Sequence, residues 1–341
     1  MKRRIYRKRL TTVVVFLLLL SGINNSFSQV IIDGDVSTGE STTSPATYVE
    51  FSHTTGIGTD RLMLVSVSWN SGNQNRIISS ITFTPSGGNP IALSPVHTQK
   101  AGTINRYSAI YSFLNPPSEV TGIVNITFSG NVLYGIVAGA VNFAGVDQTN
   151  PLGLATGNNG NSTEPSVSIT GLTGEELIFD NVIVATNNET ITAESAQMQM
   201  WNEISYTTRA GSSTKQSSGS STAMTWSIQS SSTRIWAIAA VPINPAINSW
   251  LGTTSTDWHT PSNWTKGVPT SVSSVAIPQN PTHQPIISTP IEVPDQEAFA
   301  QSVIINSGAS LTIAPTGKAT FNSITNNGTL DLESEGTGSA S

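Results

Sequence analysis

Three carboxylates stand within eight residues of one another, Asp33, Asp35 and Glu40, around an Asp33-Gly34-Asp35 turn. Hard oxygen ligands offered from a turn are what Ca²⁺ needs, so calcium is the one cofactor this sequence suggests. The spacing departs from an EF-hand loop, because Thr38 stands where that loop places its glycine. Four histidines are present, His53, His97, His259 and His283, and none belongs to an H-E-x-x-H pair. His259, directly after Asp257-Trp258, is the histidine best placed for a ligand contact. Exposed aromatic rings could stack on sugars. Trp69, Trp226 and Trp236 fall in alternating strand patterns and belong to a core. Trp201, after Gln197-Met198-Gln199-Met200, is the expected exposed platform.

The residues of known reactions are sparse. The chain has no G-x-S-x-G elbow and no P-loop, and Gly56-Ile57-Gly58 lacks the third glycine of a dinucleotide fingerprint. Paired carboxylates could hydrolyse glycosides. Glu175-Glu176, however, read as a solvated turn. Asp180, between Phe179 and Asn181 in an apolar strand, could be a buried acid, yet period two turns it away from the face of Phe179.

Composition narrows the classes further. The 341 residues include no cysteine, and only 11% are charged. Disulfides, thiolate zinc sites and a cysteine-linked lipid anchor are excluded. Long exposed helices and coiled coils need a charged outer face that this chain lacks. The first nine residues carry Lys2, Arg3, Arg4, Arg7, Lys8 and Arg9, followed by the apolar run Val13–Leu20 and then Ser26-Phe27-Ser28. That is the pattern of a secretory signal peptide over 1–28, and the apolar run is too short to span a membrane. Cleavage would leave nine basic residues against 21 acidic ones, a net charge of −12 instead of −6. Such a balance disfavours nucleic acid, and no later segment suggests membrane insertion of the mature chain.

Alternation with period two marks strand after strand: Met63–Trp69, Ile78–Thr84, Tyr107–Phe113, Val124–Phe128, Tyr134–Phe143, Ser166–Thr170, Leu177–Ala185, Ala223–Ile228 and Ile235–Val241. Turn clusters separate them, among them Ser71-Gly72-Asn73 and Gly157-Asn158-Asn159-Gly160-Asn161. Ser and Thr, 90 of the 341 residues, would cover the outward faces without charge. The Ser-rich stretch Gly211–Thr222 reads as a hairpin arm or mobile loop. The expected fold is all-β: an antiparallel, jelly-roll-like β-sandwich over 29–244, a linker and Trp/Pro-rich cap region over 245–301, and short β-solenoid coils over 302–341. The last residues, 335–341, are turn-like, which suggests a truncated chain.

Two stretches carry a resemblance. Asp60–Val67, the Leu114-Asn115-Pro116-Pro117 turn and Ala138–Leu152 resemble an uncharacterised β-sandwich module of large secreted and surface proteins of Gram-negative bacteria. Trp250-Leu251-Gly252, Asp257-Trp258, Asn263-Trp264, Gly267-Val268-Pro269 and Ser302–Ile313 are similar to the start of right-handed β-helix regions in adhesin-like proteins, which are often exported with a C-terminal sorting domain. The resemblance implies surface display and adhesion and carries no catalytic residue.

The sequence therefore predicts a non-enzymatic secreted or cell-surface protein, adhesive or glycan-binding. Its partner would be an extracellular glycan, a surface protein, or the rest of a larger surface protein. Two alternatives stand beside it: a polysaccharide-degrading enzyme with a β-helix groove, and a ligand-free spacer. The enzyme needs clustered Asp with Lys or Arg on adjacent coils, and the region after Ser302 offers only Lys318.

Overall fold

A computed structural model of the protein describes residues 30–334, apart from 187, 218, 272 and 289–295. The expected signal peptide and the turn-like end at 335–341 lie outside the described residues. The first part of the chain forms β1 (Ile31–Ile32), β2 (Ser37–Glu40), β3 (Ala46–Thr54), β4 (Leu62–Asn70), β5 (Ile78–Pro85), β6 (Ile91–Ala92), β7 (Ser94–Lys100), β8 (Arg106–Leu114), β9 (Thr121–Val132) and β10 (Ile136–Ala144). The second forms β11 (Thr156–Ser162), β12 (Ser166–Thr170), β13 (Leu177–Val184), β14 (Ile191–Ala193), β15 (Met198–Ser205), β16 (Thr208–Gln216), β17 (Ser221–Ile228) and β18 (Arg234–Ile243). The third forms β19 (Asn248–Ser249), β20 (Ser274–Ile277), β21 (Ile286–Ile287), β22 (Ala298–Ile305), β23 (Ser310–Ile313), β24 (Ala319–Asn326) and β25 (Thr329–Leu332).

Where one two-layer sandwich is expected over 29–244, the chain stacks four open antiparallel layers. The outermost runs β3-β9-β5-β6, and the next runs β1-β10-β4-β8-β7 with β2 also on β10. A second inner layer follows as β11-β18-β13-β16-β15, covered in turn by β12-β17-β14. Alternation explains the stacking. On β4, Met63, Val65, Val67 and Trp69 meet Ile81, Phe83, Val124 and Ile126 of the outer layer. Leu62 and Leu64 face the other way, onto Phe179, Ala239 and Val241 of the second inner layer. On β13, Ile178, Val182 and Val184 join Val167, Ile169, Met224 and Trp226 in a third apolar layer. Strands β4, β10 and β13 are consequently buried on both faces along their whole length.

The contact between the inner layers is partly polar. Ser66, Ser68, Ser108 and Ser212 are all fully buried. Asn181 clamps two of them: its Nδ2 donates to Ser108 Oγ at 2.8 Å and to Ser68 Oγ at 3.0 Å, while Ser108 Oγ donates to Asn181 O at 2.6 Å. The small serine side chains let the two backbones approach closely. Two readings of the sequence change here. Of the Ser-rich stretch Gly211–Thr222, the part through Gln216 belongs to β16, hydrogen-bonded between β13 and β15, and Ser212, Ser213 and Thr214 are buried. Its low hydrophobicity is a sheet contact, not an arm. The Gly157–Asn161 cluster is not a turn but the edge strand β11, where Gly160 leaves room for the ring of Trp236.

Asp180 is completely buried. Period two does turn it away from Phe179, but the opposite face is also core. Its Oδ1 accepts from Ser213 N at 2.7 Å and Ser213 Oγ at 2.8 Å, and its Oδ2 accepts from Trp226 Nε1 at 2.8 Å. Burial nevertheless outweighs these donors and pushes the carboxyl up to about 7.

The third part pairs differently. Strands β19, β20, β22 and β24 are parallel, as are β21, β23 and β25. Register repeats every 21 residues from β22 to β24 and every 19 from β23 to β25. Strands β20 and β21 already contribute rungs, and β22 runs across residue 302, so the expected cap and coil regions form one parallel stack. Trp250, Trp258 and Trp264 are buried in its core with Val275, Ile277, Val303, Ile305 and Leu311. Trp264 stands edge-on to Trp258 at 4.6 Å and to Trp250 at 5.0 Å. Buried Asn263 holds the preceding loop: its Oδ1 accepts from Thr254 N and Ser255 N, and its Nδ2 donates to Ser255 Oγ and Asp257 O. No helix among the described residues is long and apolar enough to cross a membrane.

Two outcomes follow. Asn181→Ala leaves Ser68 and Ser108 short of a buried partner and should cost about 2 kcal/mol, measured by denaturant unfolding. Asp180 binds a proton more tightly folded than unfolded, so its stabilisation is present below about pH 4 and is lost as pH rises toward 7. Measured against Asp180→Asn, the melting temperature of the unaltered protein should fall between pH 4 and pH 8, because that comparison removes the opposite contribution of buried His53.

Candidate functional site

The residues singled out for chemistry are not gathered into one site. Asp33 is buried and its carboxylate is already occupied, accepting from Ile57 N at 3.2 Å and Gly58 N at 2.9 Å. Asp35 lines an open cleft of about 520 Å³ beside it, with Ser37, His53 and Glu119. Glu40 ends β2 and lines a separate hollow with Tyr48 and Glu50. Among the described residues no group of three or more His, Cys, Asp or Glu could hold a metal ion. Of the three carboxylates, Asp33 organises a loop, Asp35 lines the cleft beside it and Glu40 lies in a separate hollow.

His53, in the same cleft wall, is a buried clamp. Its Nδ1 lies 2.9 Å from Ser37 Oγ and its Nε2 lies 3.1 Å from Asn142 Oδ1. Asn142 Nδ2 donates to Thr54 O, which leaves Oδ1 as acceptor and places the ring proton on Nε2. Burial lowers the histidine's pKa, so the neutral ring joins β2, β3 and β10.

Trp201 is 5% exposed and offers no platform. A β-bulge between Gln199 and Trp201 turns the ring inward, over Gly139 and against Val137 and Ala210. A Cβ at Gly139 would lie 2.3 Å from the indole nitrogen, so the two layers meet here only because that position is glycine. His259 is likewise covered, its side chain 5% exposed beside Asp257, with neither ring nitrogen hydrogen-bonded. All seven tryptophans are buried. The Glu175-Glu176 turn is half of what the sequence suggests. Glu176 is buried, and its carboxylate collects Thr173 N, Gly174 N, Glu175 N, Thr173 Oγ1 and Ser217 Oγ. These donors hold its pKa below the usual carboxylate value against the opposing effect of burial. Glu175 bonds Ser274 of the parallel stack.

A site that the sequence reading passes over lies at the other end of the strands. Three connections converge there: the loop after β4, the loop before β8 and the turn between β9 and β10. Their backbones interlock through Ser71 N to Asn105 O at 2.9 Å, Tyr134 N to Asn70 O at 2.9 Å and Asn70 N to Gly135 O at 3.1 Å. Beneath them Trp69 and Tyr107 stack at 4.7 Å, Trp69 Nε1 donates to Arg76 O, and Tyr107 Oη donates to Asn75 Oδ1. The result is a hollow of about 730 Å³ lined by Asn70, Asn73, Thr103, Asn105, Arg106 and Tyr134, among others, with no Asp or Glu. Asn105 Nδ2 donates to Gly72 O and Asn70 Oδ1 accepts from Gly72 N, so these amides stiffen the wall. Tyr134 is 46% exposed and its ring rests on Gly72, whose φ is +65°. The only early signal was the Ser71-Gly72-Asn73 turn cluster.

Gly72→Ala would place a methyl 2.5 Å from the Tyr134 ring in a backbone conformation that L-residues avoid. It should cost roughly 1–2 kcal/mol and displace the ring, read as a changed nitration rate of Tyr134 mapped by mass spectrometry.

A family model described as a domain of unknown function (DUF8693) matches residues 249–337, the parallel stack with its three tryptophans. No curated protein matches the chain.

Proposed function

We propose that the protein is a non-enzymatic secreted or cell-surface protein that binds an extracellular glycan, with the four β-layers as the binding part and the parallel stack as the first coils of a β-solenoid stalk. The observation that carries this reading is the position of the Arg106–Tyr134 hollow. The parallel stack joins the layers at one end of the strands: Lys266 bonds Asp60 just before β4, Val146 bridges to Pro245 just after β10, and Ser274 bonds Glu175 just before β13. The hollow opens at the opposite ends of β4, β8 and β10, where Asn70 pairs Arg106 and Trp69 pairs Ile136. Nine residues of β4 separate the two, roughly 30 Å of strand. A polar hollow on rigid loops, at the end farthest from the attachment, is where a displayed module meets its ligand.

The chemistry supports binding over turnover. Asp33, Glu176 and Asp180 are each committed to internal donors, so none is a free acid or base of the kind a glycosidase pair requires. Surface display rests on the signal-peptide pattern and on the adhesin-like resemblance.

Purified protein lacking residues 1–28 should bind members of a glycan array and release no reducing ends or unsaturated products from plant and algal polysaccharides. Product release would overturn the non-enzymatic reading, and an array with no bound glycan would overturn the binding one.

A further inference from the structure

We infer that the distal hollow takes a carboxylated saccharide, its carboxylate held by the Arg106 guanidinium and its ring lying on Tyr134. This rests on the reading of that end as a glycan-binding face and adds the ligand class. The chain carries an excess of acidic residues, yet the lining of this hollow holds an arginine and no carboxylate. Among the described residues Arg106 makes no ion pair and no side-chain hydrogen bond, and its Nε is buried without a partner. A buried guanidinium donor left unmade is costly, and burial does lower the pKa of Arg106. The group stays charged at neutral pH. A planar carboxylate is the ligand its fork fits, through two parallel N–H···O bonds.

The remaining walls suit a sugar. The Tyr134 ring rests against Gly72 and is 46% exposed, which leaves aromatic surface for the C–H side of a pyranose. Asn73 and Thr103 have no side-chain hydrogen bond among the described residues and can serve ring hydroxyls. Apolar anchor pockets of the kind a peptide uses are missing from the lining, where Ile104 and Leu133 are the only aliphatic residues. A second hollow of about 290 Å³ shares Thr103 and Ile104 and continues past Asn159 and Asn161 of β11. The two together offer a path for more than one sugar unit, the charged unit at Arg106 and a neutral neighbour beside the asparagines.

The test measures binding by calorimetry of short galacturonate, glucuronate and mannuronate oligosaccharides, each beside its methyl ester. The inference expects at least one acid to bind about tenfold or more tighter than its ester, as one charge-assisted pair provides. Arg106→Gln should bring the acid down to the level of its ester. Arg106→Lys, which keeps the charge and loses the fork, should fall between, and it carries the test if the glutamine variant folds poorly. Tyr134→Ala should weaken acid and ester alike. Equal binding of acid and ester, with loss of both in Tyr134→Ala, would overturn the inference and leave the binding face standing. Tighter binding of a sulfated, carboxylate-free oligosaccharide or of an acidic peptide would also overturn it. Failure of every glycan to bind would overturn the binding face itself.

Discussion

The contact between the two inner sheets is what the rest of the molecule depends on. Because each inner sheet is covered on both sides, β4, β10 and β13 have no solvent face. Side chains on them are apolar, small or hydrogen-bonded, since an unpaired polar group there costs about 1–3 kcal/mol. Two buried atoms depart from this, Ser66 Oγ and Asn181 Oδ1, which have no partner among the described residues. Across those three strands the one ionisable residue is Asp180, which is met by three donors. Serine at 66, 68, 108 and 212 keeps the sheets close, and Asn181 ties β13 to β4 and β8. Glycine at 139 does the same where Trp201 crosses the gap. The scarcity of charge is thus a consequence of stacking as much as of surface chemistry.

This also explains which parts of the fold were legible. Period-two alternation located Met63–Trp69, Ser166–Thr170 and Leu177–Ala185 to within a residue or two of the strands found. Alternation records that two faces differ, not what covers the second one. A serine-lined sheet contact and a hydrated face have the same spelling, so two sandwich-like pairs were read as one, and β16 was read as a loose arm. The same ambiguity hid Asp180, whose polar neighbours Ser213 and Trp226 come from other strands. Trp201 was misplaced because a β-bulge, invisible in the alternation, reverses its side.

The candidate site was harder still to see. Its residues lie in three loops around positions 70, 105 and 134, each marked only by common turn residues. What makes the place distinctive is a missing partner for Arg106, and absence of a partner is a property of three-dimensional neighbours. In the parallel stack the opposite holds. The tryptophans at 250, 258 and 264 and the Asn263 that ties their loop are local in sequence, so the cluster was visible there as a Trp-rich cap, although its union with the coils that follow was not.

The placement of the hollow and of the parallel stack at opposite strand ends has a mechanical meaning. On the proposed reading, a pull applied to a bound ligand would travel along β4 and β10 toward Asp60 and Pro245. Ladder hydrogen bonds run across the strands, so a load along the strands does not peel them one bond at a time. The double burial of β4 and β10 adds two packed faces that must slide in the same event. If the proposed tethering holds, the strands of the layered body lie along the direction in which a ligand-bound module would be stretched.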